Sequence, residues 1–175
     1  MPGPPSSGVG TACYDPAMVE VEIEFSTVLP VKASPDEAFA LVSDIKRSGM
    51  HFPDVASLES TRGDGRWTWR MRERGLGPLT LKVEYDAVYE ADPTARTVSW
   101  KPPGRSGGDM DSFGSWKLVE RPDGGTDLHF HARTVAHIPA PRLMTKVVEG
   151  VARDELTGLK KRYVEAIQAT LGGAP

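Results

Sequence analysis

The feature of this sequence that most restricts its fold is a series of strand-like segments followed by a single long helical segment. Between residues 55 and 138, six runs of β-type sequence are separated by Gly, Pro and Asp residues. Because consecutive strands with short links usually pair with one another, this order predicts an antiparallel meander. The predicted strands are Val55–Arg62, Arg66–Gly75, Leu79–Ala91, Arg96–Lys101, Phe113–Arg121 and Thr126–Ile138.

The segment before this meander predicts one further strand and two short helices. From Val19 to Thr27 apolar residues alternate with glutamates, which is typical of a strand with one buried face. In Ser34-Pro35-Asp36-Glu37, the serine can cap a helix, the proline suits its first position and the glutamate completes a capping box. A second short helix is predicted from Asp44 to about Met50, and Pro53 ends it.

The C-terminal segment from Arg142 to about Leu171 predicts one helix, which at roughly 1.5 Å per residue would be about 45 Å long. The apolar stripe of its second half consists of Ala152, Leu156, Leu159, Tyr163 and Ile167. The apolar residues of its first half are centred elsewhere, at Met144, Val147, Val148 and Val151. The helix therefore bends near Gly150, or its two halves contact different partners.

Together these elements predict an α+β domain over residues 18–172: a seven-stranded curved antiparallel sheet that grips the long C-terminal helix, with two short helices between strands 1 and 2. One amphipathic helix does not fill the concave side of a sheet as a second sheet would, so we expect a cavity between them. Residues 1–17 are rich in Pro, Gly and Ser, and this composition predicts a disordered tail.

Composition excludes several classes of protein. The length of 175 residues, with 39% hydrophobic and 26% charged residues, fits one globular domain. The net charge of −3 predicts no nucleic-acid partner, and without a long apolar run we expect no stable membrane insertion. Cys13 is the only cysteine, which excludes an internal disulfide and a cysteine-based zinc cluster. A cytoplasmic location is the default expectation.

The order of these elements, with Ser34-Pro35-Asp36-Glu37-Ala38-Phe39 opening the first helix, resembles the START-like helix-grip superfamily (SRPBCC). That superfamily includes the birch-pollen-allergen fold, the polyketide cyclase/dehydratase group and the coenzyme-Q-binding proteins. The likeness covers about Val19 to Leu171 and extends to the style of Phe52–Val55, Tyr85–Tyr89 and Thr97–Trp100. It implies a tunnel between helix and sheet for lipids, isoprenoid quinones, polyketides or plant-hormone-like molecules.

Loops between strands often serve as lids in proteins of that superfamily. Two segments look like such lids in this chain, Gly75–Pro78 and the longer connection Pro102–Ser112, which is glycine-rich and predicted to be mobile.

Aromatic side chains are the main candidates for binding a ligand. All four tryptophans are predicted to converge on the concave face of the sheet, where rings with one polar group suit a flat or polyprenyl ligand. The alternative is that these rings simply fill a core around the long helix. The predicted ligand-binding residues are Trp67, Trp69, Met71, Tyr85, Tyr89, Trp100, Trp116, Phe130, Val148 and Ala152.

Three polar side chains are weaker candidates for catalysis. Glu149 would face the cavity on a straight helix and could act as a base, whereas the shifted stripe indicates that it faces water. Tyr85 and Tyr163 could donate hydrogen bonds to a ligand carbonyl, or pack with the hydroxyl at the rim. His51 ends the second helix near the expected cavity mouth, where it could equally serve as a C-terminal charge.

Histidines alternate along the last predicted strand. His129 and His131 share a face with a spacing that could hold zinc or supply acid–base catalysis, and His137 follows. The apolar residues between them, such as Phe130, should occupy the concave side, so the histidines are predicted to face solvent. We expect no nearby carboxylate or cysteine to complete a metal site there.

These features predict a protein that binds or carries a hydrophobic small molecule, such as a lipid, an isoprenoid quinone or a polyketide, without a cofactor. A polyketide cyclase or dehydratase is the first alternative. The second is an interaction module, in which Leu143, Val147 and Val151 form an exposed apolar patch that recruits a partner or pairs two copies as a homodimer.

Overall fold

The structure is a computed structural model, and it describes residues 16–60, 62–76 and 79–173. Its strands are β1 (Pro16–Val31), β2 (Val55–Glu59), β3 (Arg66–Met71), β4 (Arg74–Leu76), β5 (Leu79–Leu81), β6 (Glu84–Asp92), β7 (Thr97–Lys101), β8 (Met110–Glu120) and β9 (Thr126–Pro141). Its helices are α1 (Pro35–Ser43), α2 (Ile45–Gly49) and α3 (Thr145–Thr170), and a 3₁₀ turn spans Arg142–Met144.

Seven of these strands form one antiparallel sheet in the order β1-β9-β8-β7-β6-β3-β2. The helix α3 packs across its inner face, where it contacts β1 and β9, and α1 packs against β7 and β8. The predicted α+β architecture is therefore confirmed: a curved seven-stranded sheet, two short helices after the first strand and a long C-terminal helix.

The strands β1 and β9 pair along their full length, from Pro16 opposite Pro141 to Val31 opposite Thr126. Every even-numbered residue of β9 from Thr126 to Ala140 is buried, whereas His129 and His131 on the other face are exposed. Because side chains alternate across a strand, this pattern fixes which face of the sheet lines the interior.

Side-chain caps fix the two short helices, and the sequence predicted the first of these caps. The Ser34 hydroxyl accepts a hydrogen bond from the Glu37 N–H (3.4 Å), and the Ser34 N–H donates to the Glu37 carboxylate (2.9 Å), which makes the predicted capping box. Asp44 caps α2 by accepting from the Arg47 N–H at 2.9 Å. These caps hold α1 and α2 at one end of the sheet.

Two predicted strands, Arg66–Gly75 and Leu79–Ala91, are each broken in the structure, and this prediction was wrong in detail. The Met71 N–H donates to the Val83 carbonyl (3.0 Å), and the Arg72 N–H donates to the Asp54 carbonyl (2.7 Å). The chain therefore leaves the main sheet after Met71, and β4 and β5 form a separate two-stranded hairpin.

Other boundaries differ from prediction by a few residues. The first strand begins at Pro16 rather than Val19, the second ends at Glu59 rather than Arg62, and β8 begins at Met110 rather than Phe113. The remainder of the predicted tail, residues 1–15, lies outside the described residues. The predicted loop at 102–112 is shortened because Gly107 and Gly108 pair with β6.

The inward face of α3 is a single line of buried side chains: Val148, Ala152, Lys160, Tyr163, Val164, Ile167 and Gln168. Three other apolar residues point outward: Leu143, in the preceding 3₁₀ turn, is 100% exposed, Val147 59% and Val151 38%. The apolar residues predicted for the first half of the helix therefore divide: Val148 joins the inner line, Met144 packs against the core, and Val147 and Val151 face outward. Within the described residues, no helix has the length and apolar content needed to cross a membrane.

Candidate functional site

Two connected groups of residues enclose space between α3 and the sheet. The larger cavity has a volume of about 130 Å³ and lies toward the β4–β5 hairpin; we call it the hairpin cavity. The smaller one has a volume of about 30 Å³ and lies toward α2; we call it the aromatic cavity. Phe52, Tyr85 and Lys160 line both cavities, so these three side chains stand between them.

The hairpin cavity is walled mainly by aliphatic side chains. Met71, Leu81 and Val83 line it from the sheet and the hairpin, and Ala152 and Leu156 line it from α3. Most of the lining surface is apolar, which favours an apolar ligand body, and charged side chains such as Arg72 and Lys82 also border the cavity. A small residue, Ala152, occupies the inward line of α3 at this cavity.

The aromatic cavity is nearly filled by its own rings. Phe130 lies 4.6 Å from Trp116 and 5.9 Å from Tyr163, measured between ring centroids. Trp69 stacks on Tyr85 with a centroid distance of 5.9 Å. The remaining volume of about 30 Å³ suffices for roughly two water molecules at about 15 Å³ each. The space for a larger ligand therefore lies beside the aromatic rings rather than among them.

Two small residues of β8, Ser112 and Gly114, contact the Trp100 ring and position it in this cluster. Its indole Nε1–H donates to the Ser112 hydroxyl at 3.1 Å. Its ring lies against Gly114, where an added Cβ would collide with the ring and with the His131 carbonyl. Glycine at this inward position is thus required by the close approach of the indole.

The structure brings most of the predicted ligand-binding residues to one of the two cavities. Those that line the hairpin cavity are Met71, Tyr85 and Ala152. Those that line the aromatic cavity are Trp69, Tyr85, Tyr89, Trp100, Trp116 and Phe130. Trp67 and Val148 line neither: Trp67 is half-buried against the core, and Val148 is fully buried.

The predicted catalytic candidates separate into an inner pair and an outer residue. Tyr85 and Tyr163 both line the aromatic cavity, and burial raises the pKa of Tyr163 to about 12 and that of Tyr85 further still. Both phenols therefore remain protonated donors at neutral pH. Glu149 is exposed and pairs with Arg153 at 3.1 Å on the outer side of α3, so it does not reach either cavity.

Lys160 is a site residue that the sequence reasoning missed. Only 5% of it is exposed, and its Nζ lies 5.3 Å from the centre of the Phe52 ring. Desolvation lowers the pKa of its amine to about 8. A signal was present in the sequence, because Lys160 lies four residues after Leu156 and three before Tyr163, inside the apolar stripe.

An ion-pair cluster lies at the hairpin end of the cavity. The Arg74 Nη1 lies 2.8 Å from the Asp54 carboxylate and 3.1 Å from the Glu155 carboxylate. This contact ties β4 both to the turn before β2 and to α3. Gly75, at the described start of the first predicted lid, lines the cavity here, while Gly77 and Pro78 lie outside the described residues. Asp109 and Met110, from the second predicted lid, also line it.

The histidines of β9 lie on the outer face, as predicted, and carboxylates lie near two of them. His131 lies 3.7 Å from Glu24, and His137 lies 3.0 Å from Asp111 and 3.8 Å from Glu20. Antiparallel pairing with β1 and β8 brings these acids opposite the histidines. In the described part of the chain, no three His, Cys, Asp or Glu side chains are arranged to hold a metal ion.

His51 connects α2 to the end of α3. Its Nδ1 donates to the Arg47 carbonyl at 3.0 Å, and its Nε2 lies 2.9 Å from the Thr170 hydroxyl. It lines neither cavity. The structure therefore favours a role for His51 at the C-terminal end of α2 over a role in ligand binding.

Comparison with known proteins agrees with this architecture. A family model described as polyketide cyclase/dehydrase and lipid transport matches residues 22–164. A search of curated proteins finds no match to the sequence.

Solved structures share the fold at low sequence identity. The Zhui aromatase/cyclase from Streptomyces sp. R1128 is 16% identical, with a TM-score of 0.53 over 87% of this chain and 99% of that one. Norcoclaurine synthase from Thalictrum flavum is 17% identical, with a TM-score of 0.56 over 87% and 95%. A protein from Thermus thermophilus is 22% identical, with a TM-score of 0.51 over 86% and 98%.

At these identities the structural likeness shows the fold alone, whereas the family model matches most of the chain. The match begins within β1 and ends within α3, so it includes both walls of the hairpin cavity. The chain belongs to the polyketide cyclase/dehydrase and lipid transport family, within the START-like helix-grip superfamily.

Proposed function

We propose that this protein binds a hydrophobic small molecule, a lipid, isoprenoid quinone or polyketide, in the hairpin cavity between α3 and the sheet. The observation that carries this proposal is an aliphatic space of about 130 Å³ that the long helix leaves unfilled. An apolar ligand in this space would bury its surface against the aliphatic lining.

The shape of the site supports a ligand with one polar group. Its body would lie against Met71, Leu81 and Leu156, and its polar end would meet the boundary between the two cavities. There the Lys160 amine and the Tyr85 phenol are the nearest groups able to donate hydrogen bonds. A carbonyl, carboxylate or quinone oxygen would suit this position.

Native mass spectrometry of freshly purified protein tests the proposal, followed by organic extraction and identification of any released molecule. We expect the protein to carry a hydrophobic molecule or to take up one of three probes, which are decylubiquinone, oleic acid and a methylated polyketide-like diketone. A protein that carries none and takes up none of the probes would contradict it.

A cofactor-free cyclase or dehydratase is the second candidate function. It is favoured by one observation, that Tyr85, Tyr163 and Lys160 converge on the aromatic cavity, where proton donors and a basic amine are within one enclosed space. A methyl diketone that closes a six-membered ring by intramolecular aldol condensation is a suitable test substrate. Cyclisation that is faster with the protein than in buffer alone, and that loses this acceleration in Lys160→Met, would support this candidate over binding alone.

A further inference from the structure

The amine of Lys160 is a buried group that simple retention of an apolar ligand does not require. The side chain extends from the inner line of α3 and lines both cavities. In the described part of the chain, its Nζ makes no hydrogen bond and no ion pair, and it lies over the face of the Phe52 ring. A methionine would fill the same volume without the electrostatic cost of burying an amine.

The carboxylates that line the hairpin cavity do not neutralise this amine, since each is engaged elsewhere. Asp54 and Glu155 both pair with Arg74, at 2.8 and 3.1 Å. The Asp109 carboxylate accepts a hydrogen bond from the Glu84 N–H at 2.9 Å. The amine therefore faces an apolar environment without a counter-charge, which favours its neutral form.

A neutral amine in an apolar pocket is a nucleophile toward carbonyl carbons. Its pKa of about 8, against the ordinary 10.5, means that an appreciable fraction is unprotonated near neutral pH. Tyr85 and Tyr163 line the same aromatic cavity as phenols that remain protonated. They are suited to donate a hydrogen bond to a carbonyl oxygen and so to polarise it.

We propose that Lys160 forms a reversible imine with the carbonyl carbon of a hydrophobic aldehyde or ketone held in the hairpin cavity. This inference rests on the proposed binding function and specifies the class of ligand for it. The Nζ lone pair forms the new C–N bond while the carbonyl π electrons move to oxygen, and a proton passes from nitrogen to that oxygen to give a carbinolamine. Loss of the hydroxyl with a second proton from nitrogen releases one water and leaves the C=N bond.

Borohydride trapping tests this step on the full chain. The protein is incubated with cinnamaldehyde or decanal and sodium cyanoborohydride, and adducts are counted by intact mass spectrometry and located by peptide mapping. We expect one reduced adduct on Lys160, formed faster as the pH rises with a midpoint near pH 8. Lys160→Met should lose this adduct, whereas the exposed neighbour variant Lys161→Met should keep it.

Binding of the matching alcohols, cinnamyl alcohol and decanol, is measured in parallel by native mass spectrometry. If the alcohols bind but the aldehydes label only exposed lysines, the imine proposal is overturned while the binding function stands. If neither alcohols nor aldehydes enter the protein, both are overturned. Equal total labelling of wild type and Lys160→Met would also contradict the assignment to Lys160.

Discussion

The amine of Lys160 lies 5.3 Å from the centre of the Phe52 ring, at the boundary between the hairpin cavity and the aromatic cavity. Phe52 in turn packs 5.3 Å from Tyr163 and 6.0 Å from Trp69, between ring centroids. The amine therefore borders the nearly filled aromatic cavity on one side and the open hairpin cavity on the other. This relationship places a polar group at the boundary between the two cavities.

Lys160→Met should stabilise the protein, and the gain should depend on pH. The amine has a pKa of about 8 in the folded chain and an ordinary value of 10.5 when unfolded. Between these values the unfolded chain binds the additional proton, so the stability of the wild type rises with pH across this window and is lowest below about pH 8. At neutral pH the free energy of unfolding of Lys160→Met should exceed that of the wild type by up to about 3 kcal/mol. This difference should vanish above the pKa of the lysine in the unfolded chain.

Denaturant unfolding of wild type and Lys160→Met at several pH values measures this difference. Lys161→Met, whose side chain is exposed, is the matched control and should show no such pH dependence. If the free energies of unfolding of wild type and Lys160→Met differ by the same amount from pH 6 to pH 10, Lys160 is not desolvated as described.

Arg74→Gln should speed ligand exchange more than it alters stability. It removes the ion pairs to Asp54 and Glu155 that join the β4–β5 hairpin to the rest of the cavity wall. These groups are partly exposed, so the loss of stability should stay within about 1 kcal/mol. Stopped-flow tryptophan fluorescence measures the release rate of bound decylubiquinone.

The control for this variant is Arg133→Gln, which breaks an ion pair with Glu22 at 2.7 Å on the outer face of the sheet. Release should be unchanged in that control. Equal release rates in wild type and Arg74→Gln would mean that the hairpin contact does not limit exchange.

Gly114→Ala should destabilise the fold, because the new methyl group collides with the Trp100 ring and with the backbone of β9. Overpacking of this kind costs roughly 1–3 kcal/mol. Gly158→Ala is the matched control: it adds the same methyl group in α3, where nothing lies within 4 Å, and should stabilise the helix by roughly 0.5–1 kcal/mol. Thermal unfolding that shifts in the same direction for both variants would be inconsistent with the described ring position.

Self-association through the outer patch of α3 remains a prediction. Leu143, Val147 and Val151 are exposed apolar side chains on one stretch of helix, and burying them between two copies would remove them from water. Size-exclusion chromatography with light scattering should give twice the chain mass for wild type and a single chain mass for Val147→Glu. Met50→Glu, at another exposed apolar site, should keep the wild-type mass; a single-chain mass for wild type would refute the prediction.

The sequence predicted the elements well because their signals are local. Alternation fixed the inner face of β9, and the Ser34–Glu37 capping box fixed the start of α1. The breaks after Met71 and Leu81 were not predictable from local sequence. At these breaks the Met71 N–H donates to the Val83 carbonyl and the Arg72 N–H to the Asp54 carbonyl, and both hydrogen bonds join segments that are distant in sequence.

The site was predicted in part for a similar reason. Periodicity placed Trp69, Trp100 and Trp116 inside, but whether rings fill a space depends on their mutual angles and distances, which no local pattern contains. Lys160 was overlooked because a charged residue in an apolar stripe is ordinarily assigned to the wet face. In the folded chain its amine lies beside Phe52, which follows α2 and is distant in sequence.

The most direct test of the central claim is ligand uptake by a variant whose cavity is filled. Ala152→Phe places a ring in the hairpin cavity, whereas Val147→Phe adds the same ring on the exposed side of the same helix. Native mass spectrometry and tryptophan-fluorescence titration with decylubiquinone, oleic acid and decanol measure uptake by folded samples of each. We expect wild type and Val147→Phe to bind at least one probe equally and Ala152→Phe to lose that binding; undiminished binding in Ala152→Phe would contradict the account.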